Sequence, residues 1–239
     1  MYVLAALSCA GSSPTGTSSD DAFRVLFIGN SLTFTHDVPG LLTALAGLEN
    51  RVVDVRSVAF PNFSLEDHWF RGDALDEIRA RRWDVVVMQQ GPSTLDANRA
   101  HLAEWSLRFA PEIRTAGGVP ALYTVWPPSG SAAAFNAVQR SYGEAAEAVD
   151  GILLPAGDAW EIAWRRDTSL RLYGPDQFHP SLEGALLAAL TIYAVLFETP
   201  AAGLPLQQQS NGTPWRAVRS ASLPVLAASA DAAALTVSR

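Results

Sequence analysis

The sequence contains no lysine and a single cysteine, and its 17 arginines are outnumbered by 24 acidic residues. With Cys9 alone, no internal disulfide can form, so the fold must be held by its own core. A net charge of −7 argues against a nucleic-acid binder, which needs a basic face for phosphates. No apolar run reaches the roughly 20 residues needed to cross a bilayer. The nearest candidate, Gly184 to Phe197, reads as a buried helix. Metal-type Cys/His spacing, a P-loop and a dinucleotide glycine motif are also missing, and Gly29 stands alone in its turn, so no cofactor and no metal are expected. What is abundant is apolar: 49% of the 239 residues are hydrophobic and 17% charged. That balance suits one globular domain with a full core.

The first residues have their own character. A short apolar run, Met1 to Leu7, leads through Ser8 to Cys9, and a Ser/Gly/Thr-rich linker follows up to Asp21. This resembles a bacterial lipoprotein signal, in which the cysteine is lipidated. The resemblance implies an exported bacterial protein, periplasmic or at the cell surface, that touches a membrane only through Cys9; release as a secreted protein is the alternative. The expected organisation is a leader and linker over 1–22, a catalytic-type domain over 23–200, and an Ala/Gln/Ser/Pro-rich C-terminal extension over 201–239 packed on the same domain. Leu226 to Val237 reads as a last helix.

Between the termini, strand-like and helix-like segments alternate. Short apolar or alternating runs predict strands at Arg24–Ile28, Arg51–Val58, Asp84–Gln89, Val119–Trp126 and Gly151–Pro155. Helical spacing follows Asp37 (Leu41, Leu42, Leu45, Leu48) and recurs over Leu65–Arg82, Asp96–Ala116, Ala132–Val149 and Ser181–Glu198. The stripe Leu102, Trp105, Phe109, Ile113 reads as core. Alternating β and α units predict an α/β fold: a mostly parallel five-stranded sheet between two helical layers. In such sheets ligands bind at the carboxyl ends of the strands.

Gly29-Asn30-Ser31-Leu32 follows the first strand directly, which places Ser31 at that edge. If a helix starts there, its free N–H groups and dipole favour an anion. A serine so placed can attack a carbonyl while its own N–H holds the oxyanion; the plainer alternative is a helix cap. A nucleophilic serine needs a base, and the base needs an orienting acid. Of four histidines, His101 reads as a solvated helix residue, His36 as a helix cap and His68 as structural, packed with Trp69. His179 lies in a loop, Tyr173-Gly-Pro-Asp-Gln-Phe-His-Pro-Ser181, three residues after Asp176. That spacing lets the carboxylate bond one ring nitrogen while the other faces a serine.

Together the strand–GNSL turn and the Asp-x-x-His-Pro block before the final helix are similar to those of the SGNH/GDSL hydrolase family, over about Arg24 to Glu198. The resemblance implies a flavodoxin-like, three-layer α/β/α sandwich. It implies a serine esterase with Ser31 as nucleophile, His179 as base and Asp176 as orienting acid, working through an acyl-enzyme without a cofactor. The family's second block supplies a glycine N–H to the oxyanion hole. The matching stretch here, Ser57 to Trp69, has no glycine, so Ser64 or Phe63 would donate, with Asn62 nearby. The third block supplies an asparagine; here the chain reads VVVMQQGPSTL, leaving Gln89, Gln90 and Ser93 as donors. Gln90 is preferred because it adjoins Gly91. The substrates implied are small-molecule or glycan esters with short acyl groups, acetylated carbohydrates among them. A catalytically inactive carbohydrate-binding module on the same fold and an O-acyltransferase stand as alternatives. Trp126-Pro127-Pro128 reads either as a wall of the site or as a rigid turn.

Overall fold

The structure is a computed structural model that describes residues 22–207 and 212–237. Cys9 and the leader lie outside the described residues. Five strands, β1 (Phe23–Gly29), β2 (Val53–Ala59), β3 (Val85–Met88), β4 (Val119–Tyr123) and β5 (Ile152–Leu154), form one sheet. Their order is β2-β1-β3-β4-β5 and every pairing is parallel. β3 is buried along its whole length, as a β-branched run between two partner strands should be. β2 sits at an edge and is only half buried.

The helices are α1 (Ser31–Phe34), α2 (Val38–Gly47), α3 (Leu65–Arg71), α4 (Asp73–Ala80), α5 (Asp96–Thr115), α6 (Phe135–Ala148), α7 (Ala156–Arg166), α8 (Leu182–Leu196) and α9 (Leu223–Ala234). Their layers follow from handedness. The chain moves one way from β1 to β2 and the other way from β2 onward, and right-handed crossovers put those connections on opposite faces. Accordingly α2 packs beside α8 on one face, while α3, α4, α5 and α6 neighbour one another on the other. The strand order reverses between β1 and β3, which opens a crevice at their carboxyl ends.

Three local differences from the sequence reading have plain causes. The stretch from Leu65 splits into two helices because Gly72 adopts a left-handed conformation (φ 94°) that closes α3 and opens α4. α7 was not foreseen: its buried stripe, Ala156, Ala159, Trp160, Ala163, is mostly small. β4 ends at Tyr123, and Thr124 to Trp126 continue as a buried loop. α8 is apolar all round, with 12 of 15 residues buried. Such a helix needs cover on every side, and α2, α7 and α9 supply it. Its fully buried Leu186, Leu187, Leu190 and Ile192 are each worth about 1.5–3 kcal/mol. The C-terminal segment is also tied by polar groups. Glu183, in the first turn of α8, accepts from Arg171 N (2.9 Å), Arg219 Nε (3.1 Å) and Ser222 Oγ (2.8 Å).

Candidate active site

β1 ends at Gly29 because no side chain fits there. A Cβ would stand 2.5 Å from Thr33 Oγ1 and 2.6 Å from Gln89 Oε1. Those two groups build the turn. Gln89 Oε1 accepts from Asn30 N (2.9 Å) and from Thr33 Oγ1 (2.8 Å), and Gln89 Nε2 donates to Asn30 Oδ1 (3.0 Å). Asn30 caps α1 by accepting from Leu32 N (3.0 Å), and its Nδ2 donates to Phe63 O (3.0 Å). From below, the Gly29 carbonyl accepts from Phe60 N (3.2 Å) and from buried His68 Nε2 (2.7 Å). Ser31 therefore leaves the turn in one defined direction, at the first position of α1, almost fully buried.

Its hydroxyl lies 2.8 Å from His179 Nε2, across 148 residues of sequence. His179 Nδ1 in turn meets Asp176 Oδ2 in a short contact. The other oxygen, Asp176 Oδ1, accepts from Phe178 N (3.1 Å) and His179 N (3.0 Å). The bond to His179, with the backbone donors, pulls the Asp176 carboxyl down to about 2. The carboxylate thus fixes the imidazole with Nδ1 as donor and Nε2 as acceptor toward Ser31, the arrangement that lets a hydroxyl give up its proton.

The loop carrying Asp176 and His179 is fastened from one side. Trp126 Nε1 donates to Phe178 O (3.0 Å), Ser129 N to Gln177 O (2.9 Å), and Tyr173 OH to Pro127 O. Trp126 is itself buried and stacked on Trp160, with centroids 3.6 Å apart. The Trp126-Pro127-Pro128 stretch is thus a rigid support for the loop, and Trp126 lines neither cleft at the serine. Sequence reasoning did not assign Trp126 or Tyr173 to this support; the aromatic and proline residues flanking both loops were the available signal.

No family model matches the chain, and no curated protein matches it. Solved structures do. One from Slackia heliotrinireducens, assigned to the SGNH hydrolases, is 26% identical over 73% of this chain and 99% of its own, with a TM-score of 0.62. The chain has the fold of the SGNH/GDSL hydrolases. A DUF4886 family protein from Bacteroides uniformis is 18% identical, with a TM-score of 0.76 over 90% of this chain and 96% of its own. An acetylxylan esterase from Geobacillus stearothermophilus is 17% identical, with a TM-score of 0.53 over 72% and 93%.

In the family's second block the structure corrects one expectation. Ser64 cannot donate to an oxyanion. It caps α3, with Ser64 N bonded to Asp67 Oδ2 (2.8 Å) and Asp67 N to Ser64 Oγ (3.3 Å), so its N–H is consumed in a capping box. Phe63 N is spent on Phe60 O (3.3 Å). The motif Ser64-x-x-Asp67 carried that signal in the sequence. Asn62, next to them in a left-handed turn (φ 61°), is exposed and makes no hydrogen bond among the described residues. In the third block, Gln89 belongs to the Asn30 network. Gln90 lines the cleft; its Oε1 accepts from Leu65 N (3.3 Å) and its Nε2 donates to Ser93 Oγ (3.0 Å), which leaves one amide hydrogen unused. Ser93 itself is buried and turned to Gly91 O.

The other histidines fall elsewhere. His68 is fully buried against Phe60 and Phe63 and not against Trp69; burial, the main cause, lowers its pKa and keeps it neutral. His36 does not cap a helix, since Asp37 caps α2 through Gly40 N (3.0 Å). His101 is not free in solvent; its Nε2 lies 3.0 Å from Glu66 Oε2. Two clefts meet at Ser31 and Asn62. The larger, about 1280 Å³, holds Phe34, His36, Leu170, Tyr173 and His179. The smaller, about 550 Å³, holds Phe63, Gln90, Asn98, His101 and Phe178.

Proposed function

We propose that the chain is a serine carboxylic-ester hydrolase that works through an acyl-enzyme. The observation that carries this reading is the 2.8 Å contact of Ser31 Oγ with His179 Nε2, backed by Asp176. In the first half-reaction Ser31 Oγ bonds to the ester carbonyl carbon as its proton passes to His179 Nε2. The carbonyl electrons move onto oxygen, held by Ser31 N–H, Asn62 and the unused Gln90 amide hydrogen. Collapse breaks the carbon–oxygen bond to the alcohol, and His179 returns the proton to that leaving oxygen. In the second half-reaction water gives a proton to His179 and bonds to the acyl carbon; the bond from that carbon to Ser31 Oγ breaks, His179 returns the proton to Ser31 Oγ, and the carboxylic acid leaves. Asp176 stays ionised throughout and stabilises the imidazolium.

Acetylated carbohydrates are the proposed substrates. Support comes from the wide cleft beside His179 (about 1280 Å³) and from the likeness in fold to an acetylxylan esterase. The test is release of acid from p-nitrophenyl acetate and acetylated xylo-oligosaccharides by wild type and Ser31→Ala. Wild type should cleave, and Ser31→Ala should lose on the order of 10⁶ in rate with an unchanged melting curve. Retention of more than a few per cent by the variant would sink the assignment.

A further inference from the structure

The larger cleft at Ser31 borders a further space. A cavity of about 300 Å³ adjoins it, and Ser129, Trp164 and Tyr173 line both. The rings of Trp164 and Tyr173 lie against each other, with centroids 5.4 Å apart, so the pair forms the partition between the two spaces. Ester chemistry sets which part of a substrate comes here. His179 must hand its proton to the leaving alcohol, so the alcohol occupies the larger cleft, which His179 lines. The far end of a long alcohol then meets the ring pair and the cavity beside it.

Both rings are fixed by their polar ends. Trp164 Nε1 donates to Leu170 O (3.1 Å) and Tyr173 OH donates to Pro127 O. With those groups spent, the two half-buried rings have only hydrocarbon surface left for a ligand. A third ring, Phe135, stands perpendicular to Trp164 and also lines the cavity. The remaining lining is of the other kind. Ser129 and Thr168 are exposed, and their hydroxyls make no hydrogen bond among the described residues. A sugar ring matches this combination: its faces carry C–H groups that can cover aromatic surface, while the hydroxyls on its edge find donors and acceptors. The volume lies at the lower end of the roughly 300–1,000 Å³ of small-ligand sites, which suits a single ring.

We propose that the cavity lined by Phe135, Trp164 and Tyr173 is a subsite for a sugar unit beyond the one that carries the ester, so that acetylated oligosaccharides are cleaved in preference to acetylated monosaccharides. The position of the alcohol rests on the serine-hydrolase reading, but sugar binding at the subsite does not need the reaction. Trp164 acts on specificity and takes no part in proton transfer at Ser31.

The experiment holds the acid constant and varies the alcohol. Monoacetylated xylose, monoacetylated xylotriose, ethyl acetate and octyl acetate are titrated for acid release by wild type, Trp164→Ala, Thr168→Trp and Ser31→Ala. Wild type should favour the triose over the monosaccharide by about tenfold in kcat/KM. Trp164→Ala should bring that ratio close to one. Thr168→Trp should do the same by filling the cavity from an exposed position, and it keeps the readout if a melting curve shows Trp164→Ala to be unfolded. Equal treatment of the two sugars by wild type, or persistence of the preference in either folded variant, would overturn the proposal. An equal fall on both sugars in Trp164→Ala would overturn it too, because it would make Trp164 a support of the Asp176–His179 loop through Tyr173. So would a matching gain of octyl over ethyl acetate that Trp164→Ala removes, because the cavity would then be a site for apolar alcohols. The serine reading is judged apart from all of these, by whether acid release disappears in Ser31→Ala. The subsite is judged in that same variant by calorimetry, where unesterified xylotriose should bind more tightly than xylose.

Discussion

The two halves of the candidate site are built on opposite plans. The nucleophile half is almost sealed. Gly29, Asn30, Thr33, Gln89 and His68 form a continuous set of buried hydrogen bonds around the end of β1. The acid–base half is a surface loop whose side chains keep much of their exposure, 52% for Asp176 and 34% for His179. It is steered from outside by Trp126, Ser129 and Tyr173. The difference separates two kinds of damage. Changes around the serine should cost stability and activity together, while changes at the acid and base should cost activity with the fold intact.

The largest effects test the second half of that statement. His179→Ala should lower kcat by about 10⁵ to 10⁶, and Asp176→Asn by about 10⁴; both should stay folded, with Asp176→Asn melting slightly below wild type. Since Asp176 titrates at about 2, below its ordinary value, its contribution to stability is complete above the usual carboxylate range. It is lost only as pH falls toward that lowered value. Asp176 therefore stays charged above that range, and Asp176→Asn should cost the same factor in kcat/KM at every pH there. A loss in Asp176→Asn that vanishes at neutral pH would break this assignment.

A smaller pair of effects tests the first half. Gln89→Ala strands Asn30 N and the Thr33 hydroxyl, so it should destabilise by about 2–3 kcal/mol and lower activity with it. Gln90→Ala removes a group at the cleft; it should lower turnover by tenfold or more with much less effect on unfolding in urea. Equal losses of stability from the two changes would erase the contrast between a scaffold glutamine and a cleft glutamine.

The same contrast explains what could be read in the sequence. The GNSL turn and the Asp-x-x-His block are local, as are the apolar runs of the strands, and all were legible. So was the fold class, because alternating elements with right-handed crossovers leave few topologies. What was not legible depends on partners far apart. Gln89 meets Asn30 across 59 positions and Trp126 meets Phe178 across 52, and nothing in either segment alone announces the other. Ser64 is a different case. Its capping partner Asp67 stood three residues away, and a helix start read from that motif would have removed Ser64 as a donor. α7 was missed because three of the four residues in its buried stripe are alanine, although their spacing (156, 159, 160, 163) is helical.

Trp126→Phe probes the brace more gently. It keeps an aromatic ring against Trp160 but removes the donor to Phe178 O. A fall in kcat of about threefold to tenfold is expected from a looser loop, with about 1 kcal/mol of stability lost. No change in kcat would show that Ser129 and Tyr173 hold the loop without it.

The smallest effect lies beneath that brace, where the acid–base half carries a liability. Asp158, in the first turn of α7, has a buried oxygen, Oδ2, with no hydrogen-bond partner among the described residues, and so does Thr124 Oγ1 at the start of the bracing loop. An acid at a helix N-terminus is ordinarily favoured by the dipole. Burial outweighs that here and pushes the Asp158 carboxyl up to about 6. Between its ordinary value and about 6 the folded state binds more proton than the unfolded one, so stability falls as pH rises through that window and stays lower above it. The interval sets an upper bound of roughly 3 kcal/mol. Asp158→Asn removes the charge but brings an amide that also needs partners, so about 1 kcal/mol of gain, or roughly 2–4 °C in Tm, is expected at pH about 8. At pH about 4, where the folded wild type is already protonated, the two proteins should melt together. A variant that is less stable than wild type at the higher pH would show that the charge is compensated by the helix dipole and that the acid–base half has no such weak point.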